Sequence, residues 1–167
     1  MENMELIVAI FDEESQATEV LDSIKALRKD QYIEVRHAAV VIKGADGEIQ
    51  VQDIEDVDSD SGRRFGAIAG GLIGLLGGGP IGAAIGVAAG AVTGRVAADK
   101  LRIGIPKEDL EAIKARLQPG SSALITYAQI PFLEAALRQL RNSGAKVFHQ
   151  MVDAATIPIP TSQQYPI

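Results

Sequence analysis

Asp56-Val57-Asp58-Ser59-Asp60-Ser61-Gly62 sets carboxylates at alternate positions, the spacing with which a calcium loop turns its oxygens towards one ion. Such a loop also needs Gly at its sixth position, for a sharp turn, and a bidentate Glu at its twelfth. The chain has Ser61 and Ala67 at those places. The stretch therefore reads as a solvated acidic linker in which Asp60 or Ser61 caps the helix that follows. The two histidines, His37 and His149, fall in separate strand-like runs. They can meet across a sheet, but a zinc site takes three or four converging ligands and the sequence offers no third. Both read as structural histidines. There is no cysteine, which removes disulfides, thiolate nucleophiles and Cys-ligated metals. No Ser-His-Asp arrangement stands out for acyl transfer. The expectation is a protein that is not an enzyme and holds no metal or cofactor.

The element that must be positioned lies between Arg64 and Arg95, where no residue is charged. Glycines fall there at every fourth place: Gly66, Gly70, Gly74, Gly78, Gly82, Gly86, Gly90 and Gly94. These are not phosphate-cradling glycines. A P-loop requires Gly-Lys-Ser/Thr and a dinucleotide site requires glycines between strand and helix, whereas this run has no Lys and a helical spacing. Residues i and i+4 share one ridge of a helix. Each Gly costs roughly 1 kcal/mol of helix propensity against Ala. The compensating gain is close backbone approach along a small-xxx-small track. Gly77-Gly78-Gly79-Pro80 interrupts the run. The reading is two arms, about 61–77 and 80–101, folded as an antiparallel hairpin. The glycines are assigned to helix packing and assembly. Phe65, Ile68, Leu72, Ile73, Leu75 and Leu76 are assigned to lipid or partner contact, with another hairpin or the sheet as the protein surfaces they would meet.

Composition bounds the rest. At 167 residues the chain is one domain, or one domain with an insertion. A net charge of −6 gives no basic field to displace counterions, so nucleic acid is not an expected partner. Without Trp there is little to stack on bases. The acidic start, Met1-Glu2-Asn3-Met4-Glu5, lacks the basic and apolar regions of a signal peptide. A cytoplasmic location is expected, with the cytoplasmic face of the membrane as the site of any lipid contact.

Taken in order, Leu6–Phe11 is a strand buried on both faces, and residues 13–29 have the apolar period of an amphipathic helix. Residues 33–42 read as a strand, Gly44-Ala45-Asp46-Gly47 as a hairpin turn, and 48–54 as an alternating edge strand. After the run, Gly104-Ile105-Pro106 opens a helix that Gln118-Pro119-Gly120 ends. A strand over 122–130, a helix over 131–142 ended by Gly144, and a strand over 145–152 follow. The prolines Pro158, Pro160 and Pro166 make 154–167 an extended tail. Leu6–Val41 and Leu124–Val152 are thus two strand–helix–strand units. Together they imply an α+β, ferredoxin-like fold. Its core would comprise 4–60 and 104–153, with 61–103 an inserted glycine-zipper hairpin and 154–167 the tail. Helices on one face leave the other face to be covered, which a second subunit often does. A homo-oligomer, dimer or larger, is expected.

The strand Leu6–Phe11 with Asp12, the glycine run followed by Gly104-Ile105-Pro106-Lys107-Glu108-Asp109, and Leu117-Gln118-Pro119-Gly120-Ser121-Ser122-Ala123-Leu124 carry a resemblance. Over about 4–153 the chain resembles a bacterial domain-of-unknown-function family labelled "predicted membrane protein", which is similar to the glycine-rich general stress proteins. The resemblance implies a ferredoxin-like core with a helical-hairpin insertion and a link to stress. It implies no catalytic or ligand residue.

Lipid contact has a length argument on each side. The uncharged run of 30 residues is long enough to cross a bilayer as one helix. Broken at Gly77–Pro80, it leaves arms of roughly 20 Å each, too short to cross. Arg63 and Arg64 before the run, and Arg95, Lys100 and Arg102 after it, keep both ends on one side. A shallow, re-entrant hairpin fits better than a spanning helix. The function expected is a non-enzymatic, self-assembling and membrane-associating protein. The alternative is a soluble homo-oligomeric module whose hairpins pack only on protein, with a small-ligand pocket at a dimeric sheet.

Overall fold

Successive side chains of a strand point to opposite faces, so burial along β1 (Met4–Phe11) decides how many layers the protein has. Ile7, Ala9 and Phe11 are buried in one apolar cluster, and Leu6, Val8 and Ile10 in another. A strand buried on both sides lies inside a sheet covered on both sides. The computed structural model has that arrangement and describes residues 4–28, 35–52, 65, 69, 70, 72–74, 76 and 106–152. After β1 come α1 (Gln16–Arg28), β2 (Val35–Lys43), β3 (Ile49–Gln52), α2 (Lys107–Arg116), β4 (Ser121–Gln129), α3 (Ile130–Asn142) and β5 (Lys146–Val152). Residues 65, 69, 70, 72–74 and 76 are helical as well. The protein is α+β, with a five-stranded antiparallel sheet in the order β3-β2-β4-β1-β5.

The order follows from two strand–helix–strand units that interleave. β1 and β2 each run antiparallel to β4, which lies between them, so they are parallel to each other. β4 and β5 are likewise parallel, with β1 between them. β3 joins the outer side of β2 through a tight turn. In that turn the Gly44 N–H donates to the Glu48 carbonyl at 2.9 Å, and Gly47 takes φ +83°.

One face of the sheet is covered by α1 and α3. Ala17, Val20, Leu21 and Ile24 from α1, and Ala136, Leu137 and Leu140 from α3, pack on Ile7, Ala9, Phe11, Val40 and Leu124. The other face was the one expected to need a second subunit. It is occupied by this chain's own Phe65, Ala69, Leu72 and Ile73, together with Ile113 and Leu117 at α2 and its end.

Local chemistry fixes the ends of the elements. Between α2 and β4 the Ser121 N–H donates to the Gln118 carbonyl at 3.1 Å, with Pro119 and Gly120 as the central residues and Gly120 at φ +84°. This is a type II turn, in which the third residue needs positive φ. α3 ends in a Schellman motif. Ala145 N–H donates to the Leu140 carbonyl, Gly144 N–H donates to the Arg141 carbonyl, and Gly144 sits at φ +81°. α1 begins later than its acidic lead-in because Asp12 to Ser15 form a turn, in which the Glu13 N–H donates to Gln16 Oε1 at 3.2 Å.

Candidate functional site

The sheet face beneath residues 65–76 is built from alternate positions of four strands. Leu6, Val8 and Ile10 of β1, Ala39 and Val41 of β2, Ile49 of β3, and Ala123, Ile125 and Tyr127 of β4 form it. Phe65, Ala69, Leu72 and Ile73 lie fully within this layer, and Leu76 packs at its margin. Their spacing of i, i+4, i+7, i+8 and i+11 is the apolar stripe of a surface helix. Gly70 is buried and Gly74 is half-buried. Each follows a sheet-facing residue by one position, so each lies about 100° round the helix from it.

An aromatic cluster pins Phe65. Its ring stacks on His37 with centroids 5.7 Å apart and planes at 23°. It meets Tyr127 edge-on at 5.0 Å. Tyr127 in turn stands edge-on to His37 at 6.3 Å. All three are essentially inaccessible to solvent. A β-bulge places His37 here. Three steps along β2, from Val35 to Ala38, face two along β4, from Ala128 to Thr126. The extra residue re-aims the strand. Thr126 Oγ1 donates to the His37 carbonyl at 2.7 Å, giving the bulge a partner from β4.

The structure keeps the two histidines apart. His37 lies with Phe65 and Tyr127 on the 65–76 face. His149 stands opposite Ile7 in the β1–β5 register, on the α1–α3 side, with β4 and β1 between the two histidine strands. Its Nδ1 lies 2.7 Å from Glu5 Oε2, at the exposed edge of the sheet. Among the described residues no three His, Asp or Glu side chains gather to hold a metal. An open cleft lies between β1, β5 and α2, lined by Leu6, Val8, Asp109, Ile113 and residues 148–150 of β5.

Of the surfaces that the sequence left open to the large residues of the run, the sheet receives Phe65, Leu72, Ile73 and Leu76. Ile68 and Leu75 lie outside the described residues, as do Gly66, Gly78, Gly82, Gly86, Gly90 and Gly94 and the acidic stretch 53–62. Among the described residues no helix is long and apolar enough to cross a membrane. The sequence reading missed the partnership of His37, Phe65 and Tyr127. Neither the stripe through residues 65, 69, 72, 73 and 76, which lies in a run where nearly every residue is apolar, nor the bulge that turns His37 towards it stood out in the spacing.

Residues 64–157, more than half of the chain, match the family described as protein of unknown function (DUF1269). The chain belongs to the DUF1269 family. The DUF1269 region starts at the head of the glycine run and takes in the run, Gly104-Ile105-Pro106 and Leu117–Leu124, which carried the resemblance, and leaves out the strand Leu6–Phe11. It differs from the expected extent of 4–153 at both ends. β1, α1, β2 and β3 precede it, and residues 154–157, assigned to the tail, belong to it. The DUF1269 match therefore joins the run, α2, β4, α3 and β5 into one family unit, of which α2, β4 and Phe148 of β5 pack in the layer with Phe65, Ala69, Leu72 and Ile73, while α3 covers the opposite face. Comparison with curated proteins and with solved structures finds no match for the chain.

Proposed function

We propose that the chain is a non-enzymatic, self-assembling protein of ferredoxin-like fold, with a glycine-zipper hairpin over 61–103 that makes helix–helix contact between copies at the cytoplasmic face of the membrane. The strand order supports the fold reading. β2-β4-β1-β5 is the order of two interleaved strand–helix–strand units, and β3 is an added edge strand.

The observation that carries the function is the division of labour on the first arm. Its large side chains, Phe65, Leu72 and Ile73, are buried on the sheet. Its glycines at 70 and 74 fall on the neighbouring ridge, and the same four-residue step continues to Gly94. A ridge of glycines beside an anchored stripe presents bare backbone to another helix. Lipid contact then falls to the part of the run beyond Gly77, which is small, apolar and uncharged and is followed by Arg95, Lys100 and Arg102. The link to stress rests on the resemblance alone.

A second reading is favoured by the same burial. Phe65, Leu72 and Ile73 satisfied by the sheet leave less apolar surface for lipid, which suits a soluble homo-oligomer whose hairpins meet only protein. In this reading a small-ligand pocket lies at a dimeric sheet, beside the part of that face that Phe65, Ala69, Leu72 and Ile73 cover.

Fractionation and sizing of the untagged protein test both. The comparison is with Gly86→Leu/Gly90→Leu, and with a variant that adds Gly70→Leu and Gly74→Leu. The proposal expects wild type in the membrane fraction as a multimer, and loss of both properties in the double variant. A soluble multimer that falls apart on substitution selects the second reading. A soluble monomer unaffected by either variant ends both.

A further inference from the structure

β5 lies at the rim of the sheet. It pairs with β1 on one side, and among the described residues nothing pairs with the other. Such an edge presents a row of backbone donors and acceptors that invites a further strand, and proteins shorten, charge or cover it. β3, at the opposite rim, is four residues long and turns Gln50 and Gln52 outward. β5 is seven residues long, has no proline and one Lys at its first position, and carries the exposed Met151, at 55%.

The chain that follows holds a segment fitted to cover it. Ile157, Pro158, Ile159, Pro160 and Thr161 alternate β-branched residues with proline. In an extended strand, backbone N–H groups of successive residues point to opposite edges. The donors of Ile157, Ile159 and Thr161 therefore fall on one edge, and the other edge, at Pro158 and Pro160, has none. Proline within a sheet is confined to an outer strand with its donor-less side facing solvent. Two prolines in this register leave a strand that can pair on one side and is blocked on the other.

We propose that residues 157–161 of the same chain pair with the open side of β5 as a sixth strand. The three residues 154–156 have the length of a common hairpin loop and set Ile159 and Thr161 opposite Met151 and His149, whose backbone groups face away from β1. They let the segment turn back antiparallel beside β5. Pro158 and Pro160 then form the new rim and stop further strand addition. The inference is independent of the glycine run and of any lipid contact.

Amide hydrogen exchange tests it on the full chain against a chain ending at Ala155. Truncation should speed exchange of the outward-facing β5 amides by about tenfold or more and leave β1 and β4 amides unchanged. Ile157→Pro with Ile159→Pro removes the pairing donors and should reproduce the truncation. Pro158→Ala with Pro160→Ala should keep β5 protected. Equal β5 exchange in the full and truncated chains overturns the proposal. So does protection that rises with protein concentration, which would assign the edge to a neighbouring copy.

Discussion

Ala17 and Ser122, 105 residues apart in the chain, are joined by a buried hydrogen bond in which the Ala17 N–H donates to Ser122 Oγ over 3.1 Å. The same hydroxyl donates to the Glu13 carbonyl at 2.6 Å. The first turn of a helix has N–H groups with no partner inside the helix. α1 receives one such partner from the start of β4. One hydroxyl thereby ties the first strand–helix–strand unit to the second.

Ser122→Ala should therefore cost about 1–3 kcal/mol, because it strands the buried Ala17 donor and also removes the partner of the part-buried Glu13 carbonyl. Urea unfolding should show the midpoint falling with an unchanged slope. A loss no larger than that of an exposed serine such as Ser23 would mean that water replaces the hydroxyl at both groups.

The turn before β4 gives a second expectation. Gly120 adopts φ +84°, and a Cβ added there would meet nothing within 4 Å. Steric room is available, so Gly120→Ala should cost only the backbone strain of the left-handed region, about 1–2 kcal/mol. Gly120→Asn should cost less, since Asn tolerates that region. Thermal unfolding of the pair checks the ranking. If Ala and Asn behave alike, the turn relaxes to another type in solution.

The sequence made some of these features plain and hid others, for physical reasons. Leu6–Phe11 announced a strand buried on both faces because every residue of it is apolar. Gly47, Gly120 and Gly144 marked turns because only positive φ calls for glycine there. The interleaving of the two units was legible as a repeated pattern. The cover of the second sheet face was not: the stripe at 65, 69, 72, 73 and 76 is masked by a run in which nearly every residue is apolar, so periodicity loses its contrast. The bond from Ser122 to Ala17 had no local signal, because a hydroxyl that caps a distant helix looks like any serine at a strand start. The bulge at His37 arises from strand register, which a single strand's residues do not specify.

That bulge yields the third expectation. Thr126 is buried, and its hydroxyl serves the His37 carbonyl at 2.7 Å. Thr126→Val keeps the shape and removes the donor, so it should cost about 1–3 kcal/mol. Thr126→Ser keeps the donor and should recover the share of that loss due to the hydrogen bond. Ring resonances of His37 and Tyr127, followed by NMR, should move in the valine variant and stay near their wild-type positions in the serine variant. Unmoved resonances in both would show that the bulge is held by the ladder alone.

The last expectation concerns what the glycine run is fastened to. Phe65 is fully buried and packs against the rings of both His37 and Tyr127. Truncating a buried Phe removes its transfer free energy and leaves a cavity, so Phe65→Ala should cost about 3–5 kcal/mol. Phe65→Leu fills part of that space but loses the edge-on contact with Tyr127, worth about 0.5–1.5 kcal/mol in such pairs. A cycle of Phe65→Leu with Tyr127→Leu isolates that contact and should return a coupling of this size. A helix that merely rested on the sheet would give Phe65→Ala a cost below about 1 kcal/mol, as surface substitutions do. A large cost instead makes the first arm part of the folding core. Any contact that the glycine run makes with another copy or with lipid must then be made with Phe65 seated on the sheet.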